Sequence, residues 1–333
     1  MALYRPRVRI PSSPPDRELW LPVFFLVEVS GLKGTFIALV LLINAAVLSV
    51  VFFTDDGTAV ERIVELLESA GREVILVSYS LDDREVMESL ERLGARGVDI
   101  KIMIDDSTVG RALGELTTLE MLTDSTQALI HSKFILVDRE RVLFGTGNFT
   151  QGSLREDSNS FIQIDSKELA GIFVDFYEAI ISGESREPKR FENMEFYLCP
   201  SEKAKERVIS ELMKARHEIS FAMFAFTDPS VLSALKFKAS RGVRVSGVLD
   251  SWNLSSPLED FLSTGMEVIW GDASFTIHDK TFVIDGRKVI TGSANATLSG
   301  WGKNREIVAI IDSEGLSRQY REHIEYLKGG GVR

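Results

Sequence analysis

The sequence of 333 residues predicts an α/β protein in which one unit occurs twice after a membrane-spanning helix. Helical and buried-strand patterns alternate along the chain, an uncharged apolar run covers residues 35–53, and one set of polar residues recurs at identical spacing. Such alternation is typical of folds in which helices cover a largely parallel or mixed sheet. We expect the two units to be related by a pseudo-two-fold axis, so that their repeated residues meet at one site.

The composition is that of an ordinary folded protein. Apolar residues make up 44% of the chain, charged residues 26%, and the formal net charge is −11. This charge excludes a protein that binds nucleic acid mainly through bulk positive charge, although it leaves room for a local basic site. The single cysteine, Cys199, excludes a disulfide framework and a Cys-rich zinc site within one chain, and we expect it to be a small buried apolar residue.

Residues 35–53 carry no charge and predict a transmembrane anchor. As a helix they would measure about 28 Å, close to the roughly 30 Å of bilayer hydrocarbon. Apolar residues surround this helix, which disfavours a buried core helix, and the absence of a cleavage site before Asp55 disfavours a signal peptide. The preceding segment, residues 1–34, holds five basic residues. We therefore expect a single-pass protein with a cytoplasmic N-terminus and its catalytic domain on the outer face.

Each repeat combines helices and apolar strands in the same order. The first repeat, residues 57–190, has helical periodicity at 60–67 and 86–93 and strand patterns at 74–80 and 99–105. The second repeat, residues 191–328, has a helix around Val208, strands at 219–226 and 244–250, and a helix at 229–240. The tripeptide Arg-Gly-Val leads into the second strand of both repeats, and closing helices are predicted at 167–181 and 312–327. Glycine, proline and charge near 183–200 mark the boundary between the repeats.

Both halves carry the same chemical groups. The first half has His131, Lys133, Asp138 and, after Gly145, Asn148, and the second has His278, Lys280, Asp285 and, after Gly292, Asn295. In a strand, a histidine and a lysine two residues apart share one face. Two lysines and two asparagines can bind the oxygens of a phosphodiester, while one imidazole attacks phosphorus and the other protonates the leaving oxygen. This chemistry requires neither a metal nor a cofactor, and we predict none.

Other polar residues have simpler interpretations. For Asp138 and Asp285 we favour a turn or ion-pair role over direct chemistry, because both follow apolar strands. The motif glycines fit tight backbone approaches. We expect His217, at a helix end, and His323, on the charged closing helix, to be solvated or to compensate a helix dipole.

The duplicated pattern H-x-K-x4-D-x6-G-S-x-N resembles the phospholipase D superfamily, and the resemblance extends over about residues 57–328. It implies that each half is an α/β/α sandwich and that the two motifs form one active site at the interface, complete within one chain. By the same resemblance, His131 is the nucleophile and His278 the general acid and base.

The sequence departs from this pattern in the first half. Thr146 stands where the second half has the usual serine, Ser293, and keeps a hydroxyl. Eleven residues after the motif asparagine, many members carry an acidic residue that hydrogen-bonds a catalytic histidine. The second half has Glu306 at this position, but the first has Asn159, which can orient an imidazole yet stabilises its cation less. The choice of His131 as nucleophile therefore stays open, and the two imidazoles should titrate as a coupled pair.

The resemblance leaves the substrate open, because the superfamily includes phospholipases D, phosphatidyltransferases such as cardiolipin synthases, endonucleases and DNA-end repair enzymes. The predicted anchor and the acidic charge favour a phospholipid at a membrane, while the short chain with one span disfavours a cardiolipin synthase. The alternative is a membrane-anchored, metal-independent endonuclease. A non-catalytic scaffold is disfavoured because both motifs are complete, and we predict no protein partner.

Overall fold

The computed structural model describes residues 49–112, 119, 121–124, 128–255, 265–272 and 275–330. In the first half these residues form a seven-stranded sheet of order β1-β7-β6-β5-β2-β3-β4. Its strands are β1 (Ser49–Phe53), β2 (Glu73–Ser78), β3 (Asp99–Asp105), β4 (Met121–Asp124), β5 (Phe134–Val137), β6 (Arg141–Gly145) and β7 (Ser160–Asp165). The accompanying helices are α1 (Ala59–Glu68), α2 (Arg84–Ala95), α3 (Val109–Ala112), α4 (Gln151–Arg155) and α5 (Lys167–Ser182).

The described residues of the second half form an eight-stranded sheet of order β12-β11-β10-β13-β14-β15-β9-β8. Its strands are β8 (Lys189–Phe191), β9 (Met194–Leu198), β10 (Glu218–Met223), β11 (Arg244–Leu249), β12 (Glu267–Trp270), β13 (Lys280–Ile284), β14 (Lys288–Gly292) and β15 (Ile307–Asp312). The helices are α6 (Glu202–Lys214), α7 (Pro229–Ser240), α8 (Leu298–Gly302) and α9 (Glu314–Lys328).

The two sheets repeat one topology. In the first, β2 pairs in parallel with β3 and antiparallel with β5, and in the second, β10 pairs in the same ways with β11 and β13. An aspartate begins the helix that follows β2 and the helix that follows β10: Asp83 caps α2 and Asp228 caps α7, each by accepting two backbone N–H groups. The predicted tandem α/β architecture is confirmed. Strand β8 lies in the second sheet, so the division between the halves precedes Lys189.

Buried apolar side chains form three hydrophobic cores. One core lies between the sheets and includes α5 and α9, with Phe134 and Phe173 from the first half and Phe196 from the second. A second core packs α1 and α2 on the outer face of the first sheet, and a third packs α6 and α7 on the outer face of the second. Each sheet is therefore covered by helices on both faces.

Strand β1 corrects the predicted anchor. Residues 49–53 pair antiparallel with β7, and the buried ring of Phe52 stacks on Phe161 with ring centroids 5.5 Å apart. The prediction of a helix through Phe53 was wrong for these five residues, whose β-branched and aromatic side chains suit a strand. The rest of the predicted anchor, residues 35–48, and the basic segment 1–34 lie outside the described residues. Within the described ranges, no helix has both the length and the hydropathy needed to cross a bilayer.

Candidate active site

Two reciprocal backbone contacts bring the motifs together. The N–H of His131 donates to the carbonyl of Arg305 at 2.9 Å, and the N–H of His278 donates to the carbonyl of Ser158 at 2.9 Å. Each contact belongs to a short parallel bridge between a motif segment of one half and the segment just before β7 or β15 of the other. The halves are thereby joined at both histidines.

Each imidazole is oriented by a side chain of the opposite half. Glu306 Oε2 lies 2.8 Å from His131 Nδ1, and Asn159 Oδ1 lies 2.9 Å from His278 Nδ1. The amide of Asn159 is itself fixed, because its Nδ2 donates to Ser153 O at 2.9 Å and its Oδ1 accepts from Thr146 Oγ1 at 2.9 Å. Both partners thus present an acceptor to Nδ1, so each Nδ1 carries the proton and each neutral ring keeps its lone pair on Nε2.

The motif lysines are buried beside these rings. Lys133 is 1% exposed and Lys280 3%. Each Nζ donates to the carbonyl of its own motif histidine, at 2.5 Å for Lys133 and His131. Burial lowers the pKa of Lys133 to about 7, against the opposing charges of Glu306 and Asp105. Burial and the charge of Lys133 together lower the pKa of Lys280 well below its usual value.

The histidines share this environment. Burial lowers the pKa of His131, and the charge of Glu306 partly offsets the effect. Burial and the charges of Lys280 and Lys133 lower the pKa of His278 much further, with no carboxylate partner at Nδ1. Because four basic groups compete for protons here, a bound phosphate anion would stabilise their charged forms.

The residues that follow each motif support the same site. The side-chain oxygens of Asn148 and Asn295 are buried and have no hydrogen-bond partner among the described residues. Each of these oxygens is an acceptor and retains capacity for a hydrogen bond from a donor at the site. Thr146 Oγ1 accepts the N–H of Ser160 at 3.0 Å, and Ser293 Oγ accepts the equivalent N–H, which belongs to Ile307, at 2.9 Å. These hydroxyls fix the starts of β7 and β15, which directly follow Asn159 and Glu306.

The motif aspartates serve the backbone elsewhere. Asp138, with φ +55°, accepts three backbone N–H groups from residues 71–73 at 2.7–2.9 Å. Asp285, with φ +51°, accepts three from residues 216–218 at 2.8–2.9 Å. Burial raises the pKa of each carboxyl, but the three N–H groups outweigh it and the pKa is lowered. The aspartates therefore tie the β5–β6 and β13–β14 turns to the start of β2 or β10.

Two positioning aspartates were not predicted. Asp105 Oδ2 accepts the N–H of Ile130 at 2.8 Å, and Asp250 Oδ2 accepts the N–H of Ile277 at 2.8 Å. Each carboxylate thus holds the residue before a motif histidine. Their signal in the sequence is the aspartate that ends the second strand pattern of both repeats.

A buried network behind the second motif was also missed. The prediction that His323 is solvated was wrong, because His323 is 7% exposed and stacks on Phe53 with ring centroids 3.9 Å apart. Its Nε2 lies 3.2 Å from Asp279 Oδ2 and its Nδ1 3.3 Å from Asp55 Oδ2. Asp279, between His278 and Lys280, also accepts a hydrogen bond from Ser158 Oγ at 2.9 Å. By contrast, His217 is exposed, and Cys199 is buried as predicted.

The repeated fold and the paired histidines and lysines define a two-motif phosphodiesterase architecture. The family model described as "Cardiolipin synthase, PLD-like domain" matches residues 63–181 and again residues 208–328. The chain belongs to this family of phospholipase D-like phosphodiesterases, which confirms the resemblance seen in the sequence. The two matched ranges also confirm the tandem repeat.

Curated relatives match part of the chain. A mitochondrial cardiolipin hydrolase of Xenopus tropicalis is 31% identical over 135 residues, which are 39% of this chain and 64% of that protein. A phospholipase D of Rickettsia typhi is 27% identical over 123 residues, 35% of this chain and 60% of that protein. The matches thus span less than two thirds of either relative.

Solved structures share the fold over most of the chain. A phosphatidylserine synthase of Haemophilus influenzae has a TM-score of 0.65 and 13% identity over 84% of this chain and 86% of its own. A polyphosphate kinase of Porphyromonas gingivalis has a TM-score of 0.63 and 16% identity over 84% of this chain and 50% of its own. At these identities the likeness concerns the fold alone.

Proposed function

We propose that this chain cleaves the phosphodiester of a phospholipid headgroup through a phosphohistidine intermediate. The observation that carries the proposal is the reciprocal pairing of His131 with Glu306 and of His278 with Asn159. This pairing engages Nδ1 of both rings, and the charges of two buried lysines act on both imidazoles. Such a set can supply a nucleophile, a proton donor and positive charge for one phosphoryl group.

The reaction proceeds in two steps. In the first, His131 Nε2 attacks phosphorus while protonated His278 gives its proton to the leaving oxygen, so that the P–O bond breaks as the N–P bond forms. In the second, neutral His278 removes a proton from water, whose oxygen attacks phosphorus and displaces His131. An alcohol in place of water gives headgroup transfer. Lys133, Lys280 and the amides of the motif asparagines bind the phosphoryl oxygens throughout.

The partners of the two imidazoles support His131 as the nucleophile. Its ring becomes positively charged when the N–P bond forms, and the Glu306 carboxylate at Nδ1 stabilises that charge. The neutral amide of Asn159 stabilises a His278 cation less, which makes His278 the stronger acid. A phosphoryl adduct trapped on His131 after acid-free proteolysis is expected, whereas an adduct on His278 would reverse the two roles.

A lipid substrate accords with the names of similar proteins, which include a cardiolipin hydrolase and a phospholipase D. We test this with the full chain in detergent micelles and EDTA, given vesicles of phosphatidylcholine or phosphatidylglycerol and, separately, single-stranded and plasmid DNA. Headgroup release is expected, with phosphatidylethanol formed when ethanol is added. His131→Asn is the inactive control. Cleavage of DNA without lipid turnover would establish the endonuclease alternative instead, and turnover of neither would favour a scaffold.

We also propose a single-pass membrane protein with a cytoplasmic N-terminus, on the basis of the apolar and basic N-terminal sequence. Cys199 is buried, so an introduced cysteine can report sidedness. In intact cells, a membrane-impermeant maleimide should label Glu187→Cys but label Arg5→Cys only after permeabilisation. The opposite pattern would reverse the orientation.

A further inference from the structure

The two halves build the same turn beside their histidines. After β3, Asp105 Oδ1 accepts the N–H of Ser107 at 3.1 Å, and after β11, Asp250 Oδ1 accepts the N–H of Trp252 at 2.7 Å. The second oxygen of each carboxylate holds the residue before the motif histidine, as described above. One aspartate in each half therefore ties this turn to the residue before a motif histidine.

The turns present different side chains. In the first half, Ser107 lies at the position equivalent to Trp252, and its Oγ is 3.5 Å from the hydroxyl of Tyr79. In the second half, Trp252 is 50% exposed and Leu254 is 62% exposed. The two turns make the same aspartate-to-backbone hydrogen bond, so they differ here in their side chains, and the second turn alone carries the exposed tryptophan. Two large apolar side chains exposed two residues apart on one turn offer surface that a partner can bury.

Hydrogen bonds of Asn253 hold the turn that carries this apolar pair, and one aromatic ring links Trp252 to the active site. Asn253, between Trp252 and Leu254, is fully buried: its Oδ1 accepts the N–H of Phe226 at 2.9 Å, and its Nδ2 donates to the carbonyl of Phe224. The ring of Phe224 stacks on Trp252 at 5.9 Å between centroids and contacts His278 at 4.9 Å. The exposed indole is thus separated from the catalytic imidazole by a single aromatic ring.

We propose that Trp252 and Leu254 insert into the surface of a lipid bilayer and hold the mouth of the site against it. This inference rests on the proposed lipid substrate. An indole is suited to the bilayer interface because it combines a large apolar ring with one polar N–H group. Leu254 adds apolar surface that a bilayer buries and that stacking on a nucleobase does not require. With one ring between Trp252 and His278, a headgroup phosphate could reach the lysines without the lipid leaving the membrane.

The test compares two substrates in the full chain. Turnover of phosphatidylglycerol in mixed micelles is divided by turnover of soluble bis(p-nitrophenyl) phosphate for the wild type, Trp252→Ser/Leu254→Ser and Phe237→Ser. Phe237, on α7, is 48% exposed and serves as the matched control. We expect the ratio to fall at least tenfold in the double variant, mainly through KM for lipid, and to stay unchanged in Phe237→Ser. Quenching of wild-type tryptophan fluorescence by brominated lipids should diminish in Trp252→Ser.

Each remaining outcome has a definite meaning. An unchanged ratio in the double variant, with active wild type, would overturn the membrane contact and leave the lipid substrate intact. Equal losses on both substrates would also overturn it, because they would indicate damage to the site. Absence of lipid turnover by the wild type would overturn the proposed function itself. Loss of DNA cleavage in Trp252→Ser would show base stacking in place of membrane contact.

Discussion

Replacing Glu306 by glutamine removes a charge while keeping the shape of the side chain. Glu306 is fully buried, its Oε2 lies 2.8 Å from His131 Nδ1, and its Oε1 accepts from Asn304 Nδ2 at 3.2 Å. A hydrogen bond to a charged group contributes about 1.5–3 kcal/mol and a neutral one about 0.5–1.5 kcal/mol. The difference of about 1–2 kcal/mol corresponds to about a 5- to 30-fold slower formation of the phosphohistidine.

The assay is rapid-quench measurement of the adduct formed from bis(p-nitrophenyl) phosphate, whose nitrophenolate leaves without protonation. With this substrate, the rate of adduct formation depends on the nucleophile and not on the general acid. Since Glu306 raises the pKa of Lys133, which binds phosphate as a cation, its replacement should move the loss of activity at high pH to lower pH. Glu306 also raises the pKa of His131, which attacks in its neutral form, so the loss of activity at low pH should move to lower pH as well. Adduct formation at the wild-type rate, with an unmoved pH profile, would refute the role assigned to Glu306.

A second variant provides the reciprocal test. Glu306→Gln combined with Asn159→Asp moves the carboxylate from His131 to His278, and part of the adduct should then form on His278. Asn159→Asp alone is the control. It should lower stability, because a carboxylate oxygen would replace the Nδ2 that donates to Ser153 O at 2.9 Å. An adduct confined to His131 in the double variant would show that something other than the carboxylate selects the nucleophile.

Burial lowers the pKa of Lys133 to about 7, so kcat/KM for a soluble phosphodiester should fall as pH rises through about 7, and a profile flat to high pH would contradict this. Asp138→Asn and Asp285→Asn should each lower the free energy of unfolding by about 1–3 kcal/mol without changing kcat. In urea titrations their deficit should disappear as pH falls through the lowered carboxyl pKa, and a changed kcat would place them in the site. His323→Phe keeps an aromatic ring but removes the nitrogen that contacts buried Asp279. We expect thermal unfolding to show a free energy of unfolding lower by about 1–3 kcal/mol, and wild-type stability would contradict this.

Sequence periodicity predicted the repeated core well, because β2, α2 and β3 of the first unit reappear as β10, α7 and β11 of the second. It failed at residues 49–53, where an uncharged apolar run fits a helix or a strand, and only the distant partner β7 decides between them. It failed again at His323, whose charged neighbours suggested solvent. The helix α9 nevertheless places His323 on the same face as Leu316, Tyr320 and Leu327, all buried, and that spacing was a usable signal.

The contacts at the site depend on how the halves pack. Spacing and resemblance singled out Asn159 and Glu306, but not which histidine each would contact. In the structure each contacts the histidine of the other half, since the motif segments pair across the interface. Asp105 and Asp250 escaped notice for a related reason: their carboxylates bind backbone groups 25 and 27 residues later in the chain, which no local pattern records.

A duplicated unit has to make two equivalent imidazoles perform different tasks. The strands that flank the site occur in both halves, and three of the differences between the halves lie in side chains at matching positions. Glu306 corresponds to Asn159, Asp279 corresponds to Ser132, whose hydroxyl donates to Arg305 O at 3.0 Å, and Trp252 corresponds to Ser107. In the mechanism proposed above, the first pair makes His131 the nucleophile and His278 the acid, and the second places a carboxylate behind the second motif alone. The third exposes a tryptophan on one side of the site, so the proposed division of roles between the imidazoles depends on side chains that differ between two similar halves.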